Sequence, residues 1–199
     1  MLTESQGEAL QEIVNIGMGQ AGASIAEVLN HFVELSIPRI IAIRPEDTAD
    51  ALRRTVGDSN VTAVRQSFRS LMSGESLVIF DAMRRADLAD LMGYDGTING
   101  SEEAEILLDL GNILVGACLR GIAEQMQSEI SFTAPSLFAE NIAINDLLRA
   151  EDLPWDNALL VEVNFGLEKR GFACHLIVFL EESQISALAE ALERFLANY

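Results

Sequence analysis

The sequence predicts an α/β fold of the α+β kind, a pseudo-twofold α-β-β-β-α repeat forming one mainly antiparallel sheet flanked by helices. Three observations predict it. The stretch Glu8 to Pro38 aligns without gaps to Glu105 to Pro135, so the chain contains an internal repeat. In both copies the apolar residues recur at helical spacing rather than alternating. Downstream in each half lie short runs that read as strands, followed by an amphipathic helix.

The first helix begins close to the N-terminus, where Thr3 and Gln6 have the spacing of a capping box. Leu10, Ile13, Val14, Gly17, Ala21 and Ile25 share its apolar side. "FVELSIPRIIAIR", from Phe32, reads as a strand, and "VTAVRQSFRSL" and "ESLVIF" supply two more before a helix near Met83–Met92. "GYDGTINGS" is a tight connection with Ser101 as the expected N-cap of the second long helix. That helix repeats the apolar side with Leu107, Leu110, Leu114, Cys118 and Ile122. "EISFTAP", "ALLVEVNFGL" and "FACHLIVFL" follow as strands, and Gln184–Leu196 as the closing helix. Two connections, "RPEDTADALRRTVGDSN" and "ENIAINDLLRAEDLPWDN", leave open whether each holds a short helix, and Trp155 in the second reads as a packing residue. The expected organisation is one domain over 1–199, with halves of about 1–97 and 98–199.

Composition excludes several functions. Thirteen basic residues against thirty-one acidic ones give a formal charge of −18, which repels nucleic-acid backbones and anionic lipid. There is no run of eighteen apolar residues and no signal-like N-terminus, so a cytoplasmic protein is expected. Cys118 and Cys174 lie in apolar stretches and read as reduced core residues. Neither they nor His31 and His175, which read as strand residues, form a metal-ligand cluster, so no metal is expected in this chain.

The segment "GMGQAGAS" matches the dinucleotide-binding spacing through Gly17, Gly19 and Gly22. The context is wrong, because a helix rather than a strand precedes it. The repeat also denies it: Gly17 and Gly22 align with Leu114 and Leu119, and only Gly19 is matched, by Gly116. No nucleotide cofactor is expected.

What the copies do share is polar. Glu8, Glu12, Asn15 and Gly19 fall on a stripe about 60° wide, opposite the apolar side. Glu105, Asp109, Asn112 and Gly116 repeat it. A single E-x-x-N reads as ordinary solvated helix surface. Its recurrence, with the same upstream Glu and the same downstream Gly and Pro, makes Glu12, Asn15, Asp109 and Asn112 candidate site residues. Each glycine is expected to leave backbone exposed for a close approach.

With these residues in view, the chain resembles the CheC/CheX/FliY family of bacterial chemotaxis phosphatases. The family pattern is Asp or Ser, three residues, Glu, two residues, Asn, then twenty-two residues and Pro. Glu12, Asn15 and Pro38 fit it in the first copy, and Asn112 and Pro135 in the second. Glu8 and Glu105 stand where Asp or Ser is usual, and Asp109 replaces the second Glu with a side chain one methylene shorter. The likeness covers almost the whole chain and is closest to the two-site CheC branch. It implies hydrolysis of the aspartyl phosphate on a CheY-like response regulator, with Mg²⁺ and a lysine supplied by that partner. In that chemistry an asparagine positions the attacking water and the acidic residue pairs with the partner's lysine. The other reading the resemblance allows is a non-catalytic module that binds a response regulator or a CheD-like receptor deamidase.

Overall fold

Helix α1 (Glu4–Leu29) starts at Thr3, whose side chain accepts from the Gln6 amide while Gln6 returns the bond, the capping box its spacing predicts. It ends at Asn30, held at φ 52° in the left-handed region. The computed structural model describes residues 2–81, 85–93, 97–149, 157–167 and 173–197. Within them follow β1 (Val33–Leu35), β2 (Arg39–Ile43), α2 (Pro45–Val56), β3 (Asn60–Arg69), β4 (Ser73–Asp81) and α3 (Arg85–Leu91). The second half repeats the order: α4 (Gly100–Gln125), β5 (Ser131–Phe132), β6 (Ser136–Ala143), α5 (Ile144–Leu147), β7 (Ala158–Leu167), β8 (Ala173–Glu181) and α6 (Glu182–Ala197).

The strands form one eight-stranded antiparallel sheet in the order β1-β7-β8-β4-β3-β5, with β2 also on β7 and β6 also on β3. The order reads the same from either end. Leu77 faces Ile177 at its centre, and each half sends its first strands across to the other half's long strand. The halves are therefore interlocked rather than placed side by side.

Alternation along the strands separates two apolar layers. One face carries Val64, Phe68, Val78, Phe80, Val163, Phe165 and Leu176 against the buried sides of α1 and α4, with Leu188 and Leu192 of α6. The other carries Ala63, Leu77, Ile79, Leu160 and Ile177 against Leu52 of α2 and Leu147 of α5. Helix α4 is long and apolar enough to cross a membrane by length and composition, yet 61% of its apolar window is buried in this fold.

Several expectations change. Each half reads α-β-β-α-β-β-α, because both undetermined connections carry a helix, α2 and α5. The strands expected from Phe32 and Glu129 each break before a proline, which has no N–H to give the ladder. Asn99, not Ser101, caps α4: its side chain accepts from the Ser101 and Glu102 amides, and Glu102 returns the bond. Met83 and Trp155 lie outside the described residues. His31 sits beyond the Asn30 cap rather than in a strand, whereas His175 lies in β8 beside Asn164 (Nδ1 to Oδ1, 2.8 Å) and Asp81 (Nε2 to Oδ1, 3.5 Å).

Cys118 and Cys174 are both free and wholly buried. Burial pushes both thiols well up from their ordinary value, and for Cys174 the neighbouring Cys118 and Asp81 add to it. A buried thiol without thiolate character does not react. An alkylating reagent is expected to modify neither cysteine in the folded protein and both after denaturation, as mass spectrometry would record.

Candidate functional site

Glu12, Asn15, Asp109 and Asn112 all lie exposed, one turn apart on α1 and α4, with Glu8 and Glu105 exposed a turn earlier. The opposite side of each helix supplies the anchor. Ile13 and Ile25 of α1, and Leu110, Val115 and Cys118 of α4, are essentially inaccessible. A rigid core face thus holds each polar stripe outward.

The prolines explain themselves in the sheet. Leu35 pairs with Phe165 and Arg39 with Glu162, so Ser36, Ile37 and Pro38 face only Val163 and Asn164. In the other half Phe132 pairs with Phe68 and Ser136 with Arg65, so Thr133, Ala134 and Pro135 face Gln66 and Ser67. Each is a one-residue bulge, a device that bends a strand and re-aims its groups. The two are pinned alike. Asn164 exchanges bonds with Ser36 (amide to Oγ 3.0 Å, Ser36 amide to carbonyl 3.0 Å), and Ser67 does so with Thr133 (3.1 and 3.0 Å). Beside the first bulge, Arg39 donates to the buried carboxylate of Glu162 at 2.6 Å.

Each bulge presents a backbone carbonyl to a glutamine that also holds the asparagine. Gln11 Nε2 donates to Pro38 O (3.1 Å) and to Asn15 Oδ1 (3.1 Å). Gln66 Nε2 donates to Thr133 O (2.8 Å) and to Asn112 Oδ1 (2.9 Å). A backbone carbonyl only accepts, so the glutamine atom touching it is the nitrogen, and that nitrogen's other partner is an oxygen. The network therefore fixes which way both asparagine amides point. Sequence reading missed both glutamines, and it missed Gln66 for a plain reason: it comes from β3, not from the repeated helix.

The glycines divide into distinct tasks. A Cβ on Gly17 would stand 2.7 Å from Ile122 N and one on Gly121 would stand 2.5 Å from Gly17 O, so this pair lets α1 and α4 touch backbone to backbone. One glycine of the dinucleotide-like spacing, Gly17, thus serves this crossing. Gly19 is open, with nothing within 4 Å of an added Cβ, as expected of exposed backbone beside Asn15. Gly116 is not open: the Arg120 guanidinium lies over it, and over the Phe132 ring at 5.5 Å, and Arg120 aligns with Ala23 in the first copy. Among the described residues no group of three His, Cys, Asp or Glu side chains is placed to hold a metal.

The fold and these helices define a class: a two-fold repeated α+β protein that displays acid–amide pairs on paired core helices. No protein-family model matches the chain. In sequence it is 24% identical over 172 residues to the flagellar motor switch phosphatase FliY of Bacillus subtilis. That match covers 84% of this chain but 43% of the relative, so the chain spans less than half of that protein's length. In structure it is similar to Thermotoga maritima FliY, with TM-score 0.70 at 18% identity over 98% of this chain and 99% of that one. A chain of the FliG–FliM complex from H. pylori has the same fold, with TM-score 0.60 at 9% identity over 95% and 100% of the two chains. In sequence and in fold the chain is thus similar to chemotaxis proteins of the CheC/CheX/FliY family.

Proposed function

We propose that this chain accelerates hydrolysis of the aspartyl phosphate on a CheY-like response regulator. The observation that carries the reading is the duplicated exposed Asn, beside a carboxylate one turn away, with its amide orientation fixed by a glutamine. The phosphatase name of the FliY relative supports it. In this reading Asn15 and Asn112 each hold a water in line with the phosphorus of the docked partner. Neither needs to remove a proton, because phosphoryl transfer through a loose transition state depends on positioning and electrostatics. Glu12 and Asp109 pair with the partner's lysine and set the angle of docking. The partner brings its own Mg²⁺, which neutralises the phosphoryl oxygens. Aspartyl phosphate is labile, so a gain of about tenfold to a hundredfold asks for only ~1.4–2.7 kcal/mol.

A second reading is a non-catalytic module that binds a response regulator or a CheD-like deamidase. The occurrence of this fold in a FliG–FliM complex favours it. The two separate in one experiment. A CheY-type response regulator carrying radiolabelled phosphate is mixed with the chain, and binding and phosphate loss are followed together. Faster phosphate loss supports the phosphatase; binding with unchanged loss supports the module.

A further inference from the structure

Each site contains one glutamine amide and one aliphatic residue, in exchanged places. Gln11 on α1 aligns with Leu108 on α4. By the sheet register, the strand position opposite the bulge is Val163 in the first site and Gln66 in the second. The helix supplies the amide in one copy and the strand supplies it in the other. Both link a bulge carbonyl to an asparagine Oδ1 at 2.8–3.1 Å, through different bulge residues: Pro38 in the first site, and Thr133, which aligns with Ser36, in the second. Shared descent alone accounts for matching residues at matching positions. It does not account for one function kept while its position moves.

Gln66 is, moreover, a costly residue to keep. It is 2% exposed on the apolar face of the sheet, and its Oε1 has no hydrogen-bond partner among the described residues. A buried unpaired acceptor opposes folding. A valine in its place, as at Val163, would satisfy the core better.

We infer that Gln11 and Gln66 are the positioning residues of the two sites, each locking its asparagine amide so that the Nδ2 group faces the docked partner. This rests on the phosphatase reading for its kinetic consequence, and on geometry alone for the lock. Because Gln66 is buried and its bond to Asn112 partly so, whereas the Gln11 bond to Asn15 is exposed, Asn112 is the more firmly held of the two.

The test exchanges the positions. In an Asn15→Ala background, which isolates the second site, Gln66→Val is expected to lower kcat about five- to tenfold, the size of one lost bond. KM for the phosphorylated CheY-type regulator stays within about twofold, since ground-state contacts are untouched. The thermal midpoint stays level or rises. Adding Leu108→Gln, which rebuilds the first copy's arrangement, is expected to restore most of the loss. Full activity in Gln66→Val, or no recovery with Leu108→Gln in a folded protein, overturns the inference. A second readout needs no activity: relaxation of the Asn112 side-chain amide by NMR is expected to report a rigid group that becomes mobile in Gln66→Val. Equal mobility in both proteins overturns the lock even if phosphatase activity is found, and a lost lock with no activity toward any regulator refutes only the phosphatase reading.

Discussion

Replacing Gly121 with valine is expected to cost this protein more stability than any surface change, by about 3 kcal/mol or more. The first atom of the new side chain would meet Gly17 O at 2.5 Å and Gly17 C at 3.0 Å, both backbone atoms of a helix that cannot step aside. Helices α1 and α4 would have to separate, opening the layer that contains Ile13, Leu110 and Cys118. Gly121→Ala meets the same atoms and loses despite the gain of about 1 kcal/mol in helix propensity. Gly19→Ala is the contrasting case. Nothing lies within 4 Å of its Cβ, so the propensity gain survives and the midpoint rises by about 2–4 °C. Opposite signs for two Gly→Ala changes in long helices would be read directly by thermal denaturation. Equal signs would contradict the crossing.

The second large effect concerns charge at the amides. Asn15→Asp with Asn112→Asp is nearly isosteric, and each new carboxylate can still accept from Gln11 or Gln66. What changes is the outward atom. An N–H donor becomes a carboxylate oxygen facing a phosphoryl group. Like charges about 4 Å apart repel by roughly 1–4 kcal/mol at a protein surface. Catalysis is therefore expected to vanish and affinity for the phosphorylated regulator to fall at least fivefold. Affinity for the unphosphorylated regulator stays closer to its original value. Titration of the two partner forms against the variant checks the difference.

Much of this was legible in the sequence, and the reasons are local. The long helices announce themselves by period and by the Thr3–Gln6 cap, and the repeat pairs Asn15 with Asn112 without any structure. Helix α2 was legible in principle: Pro45 opens it, Glu46 and Asp47 fill its first turn, and Arg53 and Arg54 its last. The segment is amphipathic but carries few apolar residues, with only Thr48, Ala51 and Leu52 buried, so its charged positions read as solvated connection. The bulges were not legible, since they exist only when β1 and β2 meet β7 of the other half. Gln66 stayed hidden for the same reason. It reaches Asn112 across forty-six residues of chain, and alignment of the helices offers no hint of it. The close crossing at Gly17 was not legible either: its partner Gly121 aligns with Ser24, so the pair has no signature in the repeat.

The central claim is that two outward amides, one on each core helix, accelerate loss of phosphate from a partner's aspartate. The measurement that tests it most directly is the rate of that loss from a radiolabelled CheY-type regulator, with the intact chain and with Asn15→Ala combined with Asn112→Ala. The account predicts acceleration by the intact chain, partial rates for the single variants, and a return to the regulator's own rate in the double variant while it remains folded and bound. A double variant that still speeds the reaction as the intact chain does would contradict it.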